Sequence, residues 1–329
     1  RLKTIQQEKL NNQVAELDVA TSENNIQESI AQVYIQILYA AESVKVNEST
    51  LQVSIAQRDR GQELLNAGSI AKSDFAQLEA QVSTDRYQLV TAQATLEDYK
   101  LQLKQLLELD GENEMNIYLP ALSDENVLAP LPTKKDVYIS ALSLRPEIEA
   151  SKLNVEASEL GIGIAKSSYL PTISLSAGIG TNHTSGSDFT FGEQVKNGWN
   201  NSIGLSVSVP IFNNRQTKSA VQKAKLQYET SMLSLLDEQK TLYKTIEGLW
   251  LDANSAQQRY AAANEKLKST QISYELISEQ FNLGMKNTIE LLTEKNNLLQ
   301  AQQEQLQAKY MAILNTQLLK FYQGDQLAL

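Results

Sequence analysis

The 329 residues carry 42% hydrophobic and 6% aromatic side chains, a formal charge of −10, one His and no Cys. Zero Cys excludes a disulfide framework, a thiolate metal site and a Cys nucleophile, and the lone His183 leaves little for His-rich metal binding or His-based acid–base work. A pI near 4.9 supplies no basic stripe for nucleic-acid phosphates, and no run of 18 apolar residues exists to span a membrane as a helix.

In chain order, the opening RLKTIQQEKL (1–10) reads as the interior of a helix, so the sequence is expected to begin part-way into an element, with no signal peptide visible. Residues 1–119 contain no Pro, and up to 110 the only glycines are Gly61 and Gly68. Proline breaks helix interiors, so this first arm permits very long helices, interrupted by a turn at Gly68. All six prolines lie between 120 and 210, and eight of the fourteen glycines lie between 161 and 204. The stretch 111–166 therefore reads as linker with short helices over 136–144 and 146–166; the second has Pro146 at its first position and acids in its first turn.

Two strands follow. In TISLSAGIGT (172–181), Ile173, Leu175, Ala177 and Ile179 alternate with Ser, Thr and Gly; in SIGLSVSV (202–209), Ile203, Leu205, Val207 and Val209 do the same. Period two predicts strands with one apolar face and one small polar face. No Asp, Glu, Lys or Arg occurs over 167–187 or 197–214, and Tyr169, Phe189, Phe191, Trp199 and Phe212 bracket the pair. Strands of about ten residues with aromatic ends suit a tilted membrane crossing. Alternation alone fits a water-soluble hairpin with one buried face equally well; the charge-free faces and a connection of about twenty residues favour lipid. One hairpin cannot close a barrel, so this reading requires an oligomer.

The last arm shows its period openly. Met232, Leu235, Leu242, Ile246, Leu249, Ala253, Ala256, Tyr260, Ala263 and Leu267 recur in steps of three and four, with one slot missed at Gln239. This coiled-coil spacing predicts a helix from about Asn214 to Asn282, roughly 100 Å long, then a turn at Leu283-Gly284 and a helix from about Thr288 to Tyr322. Adding 216 to each number of the first arm superimposes it on the last without a gap: Ile30 on Ile246, Val33 on Leu249, Tyr34 on Trp250, Leu51 on Leu267, Leu65 on Phe281, Gly68 on Gly284, Asp74 on Glu290 and Phe75 on Leu291. The chain is thus read as an internal duplication of a long helix, a Gly turn and a returning helix. The resulting division is a first helical hairpin (1–110) whose own β-hairpin is missing, a linker (111–168), a strand pair with a long loop (169–212), and a second helical hairpin (213–329).

This layout, with SLRPEIEA (143–150), SYLPTISLSAG (168–178), the VPIF of Val209–Phe212 and the turns AGSIAKSDFAQLEAQ (67–81) and FNLGMKNTIELL (281–292), resembles the TolC-like outer-membrane efflux protein family over essentially the whole chain. The resemblance implies a mainly α fold with a transmembrane β-hairpin. Its long helical hairpins would form a trimeric α-barrel across the periplasm, continuous with a β-barrel in the outer membrane of a Gram-negative cell. It implies a homotrimeric exit duct for an efflux pump or type I secretion system, docked at its helical tip onto a periplasmic adaptor and through it to an inner-membrane transporter. No cofactor, metal or nucleic acid is implied. The docking turns would be Ala67, Gly68 and Ser69, and Leu283, Gly284 and Met285. The gate would map to Asp74, Phe281 (at a family Tyr), Lys286 (at a basic link residue), Glu290 (at the first acidic ring) and Thr293 (at the second acidic ring). Phe281 has no hydroxyl, so the family's Asp–Tyr hydrogen bond cannot form here, and Thr293 supplies no carboxylate to the second acidic ring. Against the gate reading stands that of ordinary charges on solvated helix turns. Against the channel stands a soluble coiled-coil scaffold. An enzyme is not indicated, because no nucleophile, phosphate or metal motif is present. His183 reads as a loop residue, Gly68 and Gly284 as left-handed helix caps, and Tyr34 and Trp250 as core.

Overall fold

Long stretches free of Pro and poor in Gly fold as the two longest helices of the chain. The computed structural model describes residues 1–109, 117–118, 120 and 127–327. The elements are α1 (Leu2–Asn66), α2 (Lys72–Leu106), α3 (Lys134–Leu144), α4 (Pro146–Ser167), β1 (Thr172–Gly180), α5 (Phe191–Asn197), β2 (Asn200–Ser208), α6 (Gln216–Asn282) and α7 (Thr288–Gln323). The expected helices over 136–144 and 146–166 are α3 and α4, each within two residues at either end. The part of the linker over 111–126 lies almost wholly outside the described residues. The repeat is visible in the helix ends: α1 stops at Asn66 and α6 at Asn282, while α2 starts at Lys72 and α7 at Thr288, each pair 216 apart.

The described chain forms two units. One comprises Arg1–Leu17 and Glu149–Glu238; the other comprises Asp18–Ile148 and Gln239–Leu329. In the first, β1 and β2 pair antiparallel with Ile173 opposite Val207, Leu175 opposite Leu205 and Ala177 opposite Ile203. The apolar side chains therefore share one face, as the alternation predicts. The strands begin and end one or two residues from the expected limits. The same unit packs the start of α1 on α4 through small residues: Ala157 is buried and its carbonyl accepts from Gln7 Nε2 at 2.9 Å. Ser158 and Ser231 hydroxyls join α4 to α6 at 2.7 Å. Met232, placed on the apolar seam from its spacing, is 50% exposed, and its neighbour Ser231 makes the contact with α4.

The second unit carries the core. Ala31, Ile35 and Leu38 of α1, Ala256 and Tyr260 of α6, and a run from Leu306 to Leu318 of α7 form one cluster. Val137 and Ala141 of α3 pack with Ile148, Leu242, Ile246, Ala253, Leu319 and Tyr322 in a second. The seam residues Leu242, Ile246, Ala253, Ala256, Tyr260 and Ala263 are thus buried as their period predicts, with Leu249 half-buried against both clusters. Tyr34 and Trp250, repeat partners, are not plain core residues. Tyr34 Oη donates to the Tyr118 carbonyl at 2.7 Å and Trp250 Nε1 to the Pro132 carbonyl at 3.0 Å. Each uses an apolar body for packing and a polar tip to hold the linker. Arg145, 6% exposed, binds Glu147 at 2.8 Å and Glu28 at 3.1 Å and lies 4.2 Å over the Tyr322 ring, so three helices meet on one guanidinium. Burial keeps the Glu28 carboxyl above its ordinary range even beside Arg145, and raises the Tyr322 hydroxyl to about 12.

Candidate functional site: the helical turns and the strand pair

Both turns are built by the same backbone device. At the first, Gly68 has φ 72°, its N–H donates to the Leu65 carbonyl at 3.0 Å, and Ser69 N–H donates to the Leu64 carbonyl at 2.8 Å. At the second, Gly284 has φ 75°, its N–H donates to the Phe281 carbonyl at 2.9 Å, and Met285 N–H donates to the Gln280 carbonyl at 2.8 Å. These paired bonds satisfy the last carbonyls of α1 and α6 and need a left-handed residue, which only Gly adopts without a Cβ penalty. The left-handed caps expected from sequence are therefore present.

The acids after each turn cap the returning helix. Asp74 Oδ2 accepts from the Ala71 N–H at 3.2 Å. Glu290 Oε2 accepts from the Asn287 N–H at 3.2 Å, while Asn287 Oδ1 accepts from the Glu290 N–H at 2.9 Å, a reciprocal box on the first turn of α7. Lys286 Nζ donates to Glu290 Oε1 at 2.6 Å. That bond first, and the Asn287 N–H second, hold the Glu290 carboxyl below its ordinary value. A carboxylate at a helix start is also favoured by the helix dipole. Thr293 donates its hydroxyl to the Ile289 carbonyl of its own helix at 2.7 Å.

Phe281 sits elsewhere than its neighbours in sequence. It is 2% exposed and packs with Leu78 of α2 and Leu291 of α7, flanked by Leu64, Tyr274 and Leu292. This apolar plug draws on all four long helices beneath the turns. Above it, the second turn leaves Leu283 and Met285 exposed, and the first leaves Ala67 and Ser69 exposed. The structure thus brings Lys286 and Glu290 together, places Asp74 at the repeat-related position on α2, buries Phe281 below, and leaves Thr293 bonded to its own helix.

The strand pair is the second candidate surface. Ile173, Leu175, Ile179, Ile203, Leu205 and Val207 are all at least 61% exposed, and the sheet has two strands, so each has an unpaired edge. The loop between them is more ordered than its composition suggests. It contains α5, with Thr190 N–H donating to Glu193 Oε2 at 2.9 Å. His183 Nδ1 donates to Gln194 Oε1 at 3.1 Å, because that oxygen already accepts from Thr184 N–H at 2.8 Å. The T-x-x-E of Thr190–Glu193 was a readable capping signal for this helix.

One set of residues had no place in the sequence reading. Asp85, Lys295 and Ser54 are 1%, 3% and 2% exposed, and Lys295 Nζ donates to both Asp85 Oδ2 and Ser54 Oγ. The signal was there: Asp85 and Lys295 continue the apolar steps Leu78–Val82 and Leu291–Leu292–Leu298, where a charge is out of place. Among the described residues no cluster of His, Asp or Glu is arranged to hold a metal, and no helix is long and apolar enough to cross a membrane.

Residues 137–324 match the pattern of the family described as outer membrane efflux protein. The chain is 24% identical over 294 residues to the outer membrane efflux protein BepC of Brucella suis, covering 89% of this chain and 61% of BepC. It is 23% identical over 311 residues to the outer membrane protein TolC of Escherichia coli, covering 92% of this chain and 62% of TolC. The chain spans about three fifths of the length of the curated relatives it matches. The CmeC outer membrane channel of Campylobacter jejuni superimposes with a TM-score of 0.80 at 19% identity, over 99% of this chain and 68% of that one. At that identity the likeness is one of fold.

Proposed function

This chain belongs to the outer membrane efflux protein family, a family of outer membrane transport conduits in Gram-negative bacteria rather than of enzymes, and from that premise we propose that it is part of a passive export duct. Three copies assemble around one axis. Their long helices form a water-filled α-barrel, and their strands join a β-barrel in the outer membrane. Cargo enters at the turns, where a periplasmic adaptor linked to an inner-membrane transporter docks on Ala67, Gly68, Ser69, Leu283, Gly284 and Met285. No cofactor takes part.

The observation that carries this reading is the strand pair. Its apolar face is in register, free of charge and uncovered, and both its edges are open. In water a lone two-stranded hairpin of this kind is at best marginally stable. In lipid its open edges must be closed by further strands, since no water is there to satisfy their N–H and C=O groups. Lipid outside and neighbouring subunits at the edges answer both demands. The exposed Leu283 and Met285 support docking, since apolar side chains standing out of a tight turn offer a partner surface at little ordering cost.

The gate in this reading is the set of turn-proximal charges. Three copies of Glu290, each kept ionised by Lys286 and the Asn287 N–H, make a ring of carboxylates that favours cations over anions, its field reduced by the Lys286 ammonium paired to each. Asp74 supplies the matching charge on α2. Phe281 contributes by holding the turns on the plug, and Thr293 adds no charge.

Light scattering on the full-length protein extracted from membranes tests the assembly. A trimer that persists in detergent and aggregates without it is expected. A detergent-free monomer or dimer, soluble and helical, would leave a coiled-coil scaffold as the function instead.

A further inference from the structure

The plug under the turns and the main core of the second unit are separated by a polar layer. On the turn side lie Leu78, Phe281 and Leu291; on the other lie Leu51, Leu298 and Ala301, all buried. Between them Ser54 of α1, Asp85 of α2 and Lys295 of α7 form a closed set. Lys295 Nζ donates to Asp85 Oδ2 and to Ser54 Oγ, Ser54 Oγ donates to Asp85 Oδ2, and Gln81 Nε2 donates to Asp85 Oδ1 at 2.9 Å. Both carboxylate oxygens are therefore occupied, and the lysine charge is compensated at the point of burial.

Such a pair is a poor means of adding stability. Desolvating two ions costs about as much as their attraction returns, and apolar residues of like volume do as well or better. Burial accordingly pulls Lys295 down from its ordinary range, with Asp85 opposing the shift. What a buried pair does supply is register. An apolar seam tolerates sliding by a turn, because any Leu or Ala fits the next hole, whereas a buried ammonium has one acceptable position.

The internal repeat makes the point sharper. The positions 216 residues away are Thr270 for Ser54, Ala301 for Asp85 and Glu79 for Lys295. Thr270 bonds its own helix at the Lys266 carbonyl, Ala301 is fully buried, and Glu79 is exposed. A duplicated hairpin thus carries this pair in one sense only: from the first repeat's α1 and α2 to the second repeat's α7.

We propose that Asp85, Lys295 and Ser54 are positioning residues that pin the two repeats in a single register and mark the boundary between a fixed helical body and a turn-side segment that moves as a unit. Lys295 lies seven residues into α7 and Asp85 thirteen into α2, roughly 10 and 20 Å from the helix starts. The aperture formed by the turns is then set by how the plug tilts on this layer. The link to aperture rests on the duct reading; the link to register does not.

The test uses full-length, membrane-extracted protein in four forms: wild type, the apolar double variant Asp85→Leu/Lys295→Met, the conservative Lys295→Arg, and the swap Asp85→Lys/Lys295→Asp. Two readouts are taken on each, hydrogen exchange resolved by segment and single-channel conductance in a planar bilayer. In the apolar double variant the unfolding midpoint is expected to hold or rise. Amides on the turn side of the layer, over 72–84 and 288–294, are expected to exchange about tenfold faster, and conductance to spread over several levels. Lys295→Arg and the swap are expected to restore wild-type exchange and a single level. Wild-type exchange and conductance in the apolar double variant would overturn the proposal, since packing alone would then hold the register. If the wild-type protein forms no channel at all, the duct reading fails, and the exchange data decide the register claim by themselves.

Discussion

At Gly68 and at Gly284 the chain makes the same reversal with different side chains. The glycine dihedrals agree within a few degrees, the two closing bonds fall on equivalent atoms, and an acid caps the returning helix three residues into it. Around that shared frame the chemistry diverges. The first turn has Leu65, Ala67, Ser69 and Ile70 where the second has Phe281, Leu283, Met285 and Lys286. Only the second carries an ion pair to its capping acid, and only its aromatic fills the plug. Duplication preserves what the backbone requires and frees the rest to specialise, so the two turns are equal in geometry and unequal in load.

The largest expected effect tests that inequality. Phe281→Ala removes a fully buried ring from the plug and should cost about 3–5 kcal/mol. Leu65→Ala, at the repeat-related and only half-buried position, should cost about 1 kcal/mol. Urea unfolding of both in detergent measures the difference, and equal losses would mean that the plug draws evenly on both repeats. The next effect tests the equality. Gly68→Ala and Gly284→Ala each force a Cβ into a left-handed residue with open space around it, so each should cost about 1–2 kcal/mol through the backbone alone. A marked gap between them would show that one turn is held by something beyond its two bonds.

The smallest effect concerns Glu290. Its folded value is depressed, so its contribution is fully present above the unfolded value near 4.5 and is lost as pH falls through the lower folded one. Glu290→Gln should therefore narrow the stability gap from wild type as the solution is acidified, because Gln keeps the capping geometry but not the charge. The same variant should reduce cation selectivity in a planar bilayer. Unchanged selectivity would remove Glu290 from the constriction while leaving its capping role intact.

The helices, the turns and the strands were legible because their signals are local. The absence of Pro and the step of three and four mark α6, and the alternation around Leu175 and Leu205 marks β1 and β2 within two residues. The duplication was legible too, since apolar positions and the turn glycine survive where identities do not. The helix α5 escaped because its capping pair Thr190 and Glu193 stands in a stretch otherwise rich in Asn, Ser and Gly. Tyr34 and Trp250 read as core because their rings follow the seam; that their polar tips reach the carbonyls of Tyr118 and Pro132 depends on where the linker returns. Phe281 was placed among the gate residues by the family resemblance, at the position of a Tyr, and its ring packs inward with Leu78 and Leu291.

What the residues determined alone is the class of each element and the repeat that orders them, because helix breaking, period and glycine dihedrals act over a few residues. What only the tertiary structure decided is which charges on those helices become buried partners. Asp85 and Lys295 lie 210 positions apart and each, read singly, is one more charge on a long helix. Pairing them takes three helices, α1, α2 and α7, packed together, and a buried charge is tolerable only where the packing brings its counterpart to it.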